Sequence, residues 1–212
     1  MVQWSKMVPS IYPNETAVLF ATGPSLTKEV VEIVRPYHRS GKVRAFGCNN
    51  SYDMVDYLDV HYACDDRWWD HYAVEALRIL PSKCHVWTQS KESSDKYHIN
   101  HIPGEHKTAL WIEDSSKIHF GKNSGFQLLN LAYHYGIRKF ILVGYNMGKI
   151  EGQYHYFGEH PPSFPRYSDF DKFIAEFNEI QPQIKSRVIN CTPNSYLNAF
   201  VKKDLKETLD SV

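Results

Sequence analysis

A chain of 212 residues has the length of one domain of ordinary size and is long enough to bury a real core. Its 24 lysines and arginines balance its 24 aspartates and glutamates, so it lacks the field that gathers polyanions and carries no nucleic-acid footprint. Four cysteines (Cys48, Cys64, Cys84, Cys191) stand far apart with no C-x-x-C pair, which argues against structural zinc and a disulfide framework. With neither a signal segment nor a membrane-spanning run in view, a cytoplasmic protein is the expectation.

After an N-terminal extension over 1–14, the apolar run Ala17 to Ala21 reads as a buried strand that breaks at Thr22-Gly23-Pro24-Ser25. Val30, Val31 and Val34 then recur with helical spacing. A strand passing through a glycine turn into a helix presents backbone N–H groups at a positive helix end, a natural seat for a phosphate. The turn is neither G-x-G-x-x-G nor G-x-x-x-x-G-K-[ST], which excludes the dinucleotide dehydrogenases and the P-loop kinases.

Lys42 to Cys48 reads as a second strand, and Ser51 to Leu58 as a short helix capped by Ser51. Val60 to Cys64 is a third strand ending at Asp65-Asp66. Arg67 to Leu80 is a helix with Trp69, Tyr72, Ala73 and Ala76 on one face, and Pro81 stops it. One of Trp68 and Trp69 is expected to pack on the sheet while the other stays partly exposed. Cys84 to Thr88 is a fourth strand.

The pattern fails over 89–123, a long lid-like excursion with a short strand expected at Ala109 to Ile112. Leu128, Leu131, Ala132 and Tyr135 then line a helical face, Gly136 stops the helix, and Lys139 to Val143 forms a central strand. A second irregular stretch covers 144–166. Asp169 to Ile180 is a helix with Phe170, Phe173, Ile174 and Phe177 on its apolar side, Arg187 to Cys191 is a last strand, and Asn194 onward ends in helix. This alternation predicts a single-domain, Rossmann-like α/β fold over 1–212, mainly parallel with helices on both faces. Ligands of such sheets gather beyond the carboxyl ends of the strands. Those ends carry Gly23-Pro24-Ser25, Asn49-Asn50, Asp65-Asp66, Gly144-Tyr145-Asn146 and Thr192-Pro193-Asn194.

Several of these segments, in order, resemble the bacterial sialyltransferases whose fingerprint begins GNGPSL. They are GPSL, CNN, NSGFQLLNLAYHYGIRKFILVGYNM, HYFGEH and CTPNSYLNAF, spread between Thr16 and Phe200. The first and third also resemble the hydroxymethylpterin diphosphokinase-like group, flagellin-modifying motility accessory proteins and many phage proteins. The resemblance implies a transferase that takes a nucleotide-activated donor, with a CMP-sugar favoured and a hydroxyl as acceptor, and it is compatible with a homo-oligomer. Carried over, it implies nucleotide contacts at Thr22, Gly23, Pro24, Ser25, Asn49, Asp65, Ser124, Gly125, Asn146, Pro193, Asn194 and Ser195. It implies a catalytic base at His160, with Tyr145, Tyr154 or Tyr156 supporting the departing phosphate. The chain departs from that pattern at Thr22 and Asp65, where the family has asparagine, and at Asn146, where it has aspartate. Lys122 stands one residue from the place of a family arginine.

The chemistry of the residues agrees with part of this. Histidine is the natural base for a sugar hydroxyl because it titrates near neutral pH; His160 is the first candidate and His155 its rival. His98, His101 and His106 are expected to decorate the long loop. Asp65 and Asp66 could hold Mg²⁺ in the alternative, a pterin-kinase-like pyrophosphoryl transfer, or else cap the helix that follows. A third reading is a non-catalytic module that binds a nucleotide. No G-x-S-x-G elbow or Cys–His pair points to covalent hydrolysis.

Overall fold

A computed structural model describes residues 7–107, 109–164 and 169–212. Positions 1–6 of the expected N-terminal extension, 108 in the first excursion and 165–166 at the end of the second lie outside the described residues. The chain opens with β1 (Thr16–Phe20), α1 (Lys28–Arg39), β2 (Arg44–Cys48), α2 (Ser51–Met54), β3 (Val60–Tyr62), α3 (Asp66–Ile79) and β4 (His85–Thr88). There follow α4 (Lys91–Tyr97), β5 (Asn100–His101), β6 (Gly104–Glu105), β7 (Ile118–His119), α5 (Ser124–His134) and β8 (Lys139–Val143). It closes with α6 (Phe170–Ile184), β9 (Val188–Asn190), β10 (Val201–Lys202) and α7 (Leu205–Asp210).

One eight-stranded sheet runs in the order β10-β9-β8-β1-β2-β3-β4-β5, with every pairing parallel. This is the expected α/β class with helices on both faces. Alternation along β1 divides the core. Ala17 and Leu19 join Phe126, Leu129 and Ala132 of α5 and Phe177, Ile180 and Ile184 of α6. Val18 and Phe20 join Val31 and Val34 of α1, Trp69 and Ala73 of α3, and Leu209 of α7. Each valine, leucine, isoleucine or phenylalanine among them contributes roughly 1.5–3 kcal/mol on burial. Among the described residues no helix is long and apolar enough to cross a membrane.

The differences from expectation have local causes. Ser51 does not cap α2; Asn50 is the cap residue and its side chain makes no capping hydrogen bond, and a Cβ on Gly47 would overlap the Ser51 hydroxyl, which is turned under β2. Both tryptophans of α3 are buried: Trp69 donates to Ala63 O and Thr88 Oγ1, each at 3.0 Å, and Trp68 donates to Asn50 Oδ1 at 2.9 Å.

The first excursion holds a helix and three short strands, but Ala109–Ile112 is not one of them. The Asn130 carboxamide accepts from Trp111 N at 3.0 Å and donates to Trp111 O at 2.8 Å, so a side chain satisfies the backbone that a strand would have paired. His101 sits in β5 at the sheet edge rather than in a loop. Helix α6 runs past Ile180 because Ile184 adds a further buried turn. Beyond Asn194 the chain forms β10 before α7, which is only six residues long.

Burial holds His61 and His134 at about 4, below the ordinary imidazole value, so both are neutral in the fold. The unfolded chain binds these protons first; the stability present above pH 6.5 is therefore lost as pH falls toward 4. Urea unfolding at pH 7.5 and pH 5 should show a clear fall in midpoint, about 2 kcal/mol per imidazole. An unchanged midpoint would mean that these rings do not stay neutral.

Candidate active site

Strand β1 has β2 on one side and β8 on the other, so the chain order reverses at the β1–β8 boundary. Two strand-end turns must separate there, which leaves a crevice. The turns are locked together. Gly23 N donates to Gly144 O at 2.9 Å, and Ser25 donates to Asn146 Oδ1 from its amide at 3.1 Å and its hydroxyl at 2.7 Å. Asn146 Nδ2 donates in turn to Pro193 O at 3.0 Å. A Cβ on Gly23 would overlap Asn146 Oδ1 and Gly144 O. Gly23 thus serves the contact between turns, and Asn146, fully buried, serves as the clamp.

Above this lock lies a cavity of about 500 Å³, within the size range of small-molecule sites. The turn after β1 supplies Ala21, Thr22 and Gly23; the ends of β2 and β3 supply Asn49 and Asp65; Lys122, Asn123, Ser124 and Gly125 enter from the start of α5. Tyr145, Met147, Tyr154, His155, Glu159, His160 and Phe164 come from the second excursion, and Asp169, Phe170 and Phe173 from α6.

Of the residues predicted from sequence, Thr22, Gly23, Asn49, Asp65, Ser124, Gly125, Tyr145 and His160 therefore meet in one hollow. Pro24, Ser25, Asn146, Pro193, Asn194, Ser195, Tyr156 and Asp66 stand outside its lining. Ser195 donates to Tyr145 O at 2.6 Å and shapes the turn from behind. Tyr156 donates to Asn50 O at 2.6 Å, which straps the second excursion to α2. Asp66 accepts from the Ser90 and Ser93 hydroxyls. Asp65 caps α3, accepting from Arg67 N at 2.9 Å, while it also borders the cavity.

The helix end at the cavity is not the one the first turn suggests. Thr27 caps α1, and neither it nor Lys28 reaches the lining. The end that does is α5, where Asn123 accepts from Phe126 N at 2.8 Å and leaves the amides of Ser124 and Gly125 without an intrahelical partner. Lys122 adds a positive charge there, steadied by the buried Glu176 carboxylate at 2.8 Å. These groups together suit one anion.

Sequence reasoning placed Phe170 and Phe173 in the core. The apolar face of α6 is divided: Phe177, Ile180 and Ile184 are buried, while the first turn's phenylalanines stay half-buried and line the cavity. The run of helically spaced apolar residues, longer than one interface needs, was the available signal.

The two histidines of HYFGEH lie side by side, ring centroids 5.0 Å apart. His160 stacks on Phe164 at 5.0 Å, and its Nδ1 is 3.4 Å from the Tyr72 hydroxyl. Burial, then the nearby His71, lowers its pKa, so the ring is neutral at neutral pH. His155 stacks on Phe157 at 4.9 Å with its Nδ1 3.1 Å from Thr22 Oγ1, and burial lowers it to about 4. The Tyr145 phenol, raised well above its usual value by burial, donates to Gly125 O at 3.1 Å. Among the described residues no group of three or more His, Cys, Asp or Glu side chains is placed to hold a metal ion.

No family model matches the chain, and no curated protein does. Among solved structures it is similar to the MAf glycosyltransferase from Magnetospirillum magneticum AMB-1, at a TM-score of 0.64 and 10% sequence identity. The alignment covers 97% of this chain and 35% of that one. What the two share is a fold. The chain spans about a third of the length of that protein.

Two substitutions test the frame of the site. Gly23→Ala should cost about 2–4 kcal/mol in urea unfolding, since neither the Asn146 carboxamide nor the Gly144 carbonyl has room to retreat. Tyr145→Phe should cost about 0.5–1.5 kcal/mol, the loss of one hydrogen bond to a Gly125 carbonyl that keeps its helical partner, yet leave ligand affinity within about twofold. A large loss of affinity with unchanged stability would return the phenol to the list of ligand contacts.

Proposed function

We propose that this chain is a glycosyltransferase domain that transfers a sugar from a nucleotide-activated donor, a CMP-sugar by preference, to an acceptor hydroxyl. One observation carries the reading: His160 lines the same switch-point cavity as the first-turn amides of α5, so a base and an anion seat share one hollow. The fold shared with a protein described as a glycosyltransferase supports it. So does the ordered resemblance to sialyltransferase segments.

In this reading the donor phosphate rests on the Ser124 and Gly125 amides with Lys122 beside it. The Nε2 atom of neutral His160 takes the proton of the acceptor hydroxyl as its oxygen attacks the anomeric carbon. The bond from that carbon to the phosphate oxygen breaks, and the nucleotide leaves with the electron pair. A helix end and an ammonium group that hold the anion lower the cost of that departure. A single displacement of this kind inverts the anomeric centre. At about 4, His155 is too weak a base to share the task. The Mg²⁺-dependent alternative has less support, because the Asp66 carboxylate is turned to Ser90 and Ser93.

Purified protein incubated with CMP-, UDP- and GDP-sugars should release nucleotide or transfer sugar with at least one of them, without added metal. His160→Gln should lower kcat about 10²–10⁴-fold with a smaller change in donor KM. The acid limb of the wild-type pH–rate profile should fall below the ordinary imidazole value, with activity lost as pH drops through it. Donor binding without turnover would favour the binding module, and strict Mg²⁺ dependence abolished by Asp65→Ala would favour pyrophosphoryl transfer.

A further inference from the structure

His155 is not needed as the base, yet it lines the cavity beside it with an arranged ring. Its Nδ1 lies 3.1 Å from the Thr22 hydroxyl, an oxygen able to receive the ring's N–H. With the proton on that nitrogen, Nε2 keeps its lone pair. No side chain or backbone group among the described residues is bonded to Nε2. The Phe157 ring packs parallel to the imidazole, within 1°, and sets its plane.

We propose that His155 is a specificity-determining residue, an uncharged hydrogen-bond acceptor that receives a hydroxyl of the transferred sugar. This rests on the glycosyl-transfer reading of the site and goes beyond it by orienting the donor. A lone pair repels a phosphate oxygen, so the phosphate lies at the α5 end of the cavity and the sugar lies at the histidine end. The 5.0 Å separation from the His160 ring places His155 at the reacting end of the donor, where the transferred sugar sits and from which the nucleobase is farther away. Thr22 acts through His155 as a positioning residue. Burial keeps His155 neutral across the working range; His160, Glu159 and the Thr22 turn are the polar groups around it in the cavity wall.

Ring nitrogen-15 shifts of the wild-type protein at pH 7 should show His155 in one neutral form with its proton on Nδ1. Thr22→Val, which keeps the shape and removes the hydroxyl, should weaken that preference without unfolding the chain. His155→Phe should raise the KM of the CMP-sugar that the wild type uses by about tenfold, the worth of one hydrogen bond, while the dissociation constant of CMP changes less than about twofold. A proton on Nε2, an unchanged donor KM, or an effect confined to the acceptor KM would overturn the proposal. A wild type that binds no CMP-sugar would remove the donor reading instead, and the ring shifts would still decide whether a lone pair faces the cavity.

Discussion

The contact between the turns that leave β1 and β8 is the constraint on which the rest of the molecule depends. Parallel strands whose connections diverge to opposite sides open a crevice at their shared boundary, and the chain must cover exposed backbone there. Here the cover is close packing: Gly23 and Gly144 bring backbone against backbone, and Asn146 ties the first turn to the segment after β9. A carboxamide suits this place because it accepts and donates at once, which neither an aspartate nor a leucine would do. The clamp leaves the amide-rich face above it free for a ligand.

The site assembled on this base separates its chemistry by region. Positive potential comes from the first turn of α5 and from Lys122. Basic but uncharged nitrogen comes from the second excursion, where burial and a neighbouring imidazole hold two imidazoles neutral. Aromatic side chains from α3, α6 and that same excursion line the space between them. Charge and uncharged imidazole are therefore separated within one cavity, which suits the proposed displacement at a carbon bearing a phosphate leaving group.

The sheet and its helices were largely legible in the sequence. Strand β8 has its expected bounds, and the valines of α1 and the leucines of α5 face inward as their spacing predicts, because burial in a parallel sheet demands uninterrupted apolar runs. Irregular segments were legible only as irregular. Nothing local marks the Trp111 backbone as the partner of Asn130, or Ser51 as a group turned under Gly47. Both depend on contacts made across the fold.

For the site, local pattern determined which turns and which residue types would stand at the carboxyl ends of the strands, since glycine, asparagine and aspartate are the residues that favour turns. It also determined that two histidines would occupy one loop. Tertiary structure decided the rest. It gave the cavity the N-terminus of α5 rather than of α1, drew Ser25 and Asn146 into the clamp, and turned Phe170 and Phe173 from the core toward the ligand space. Those outcomes follow from which strand lies beside which, and strand order is a long-range property that no short window of residues contains.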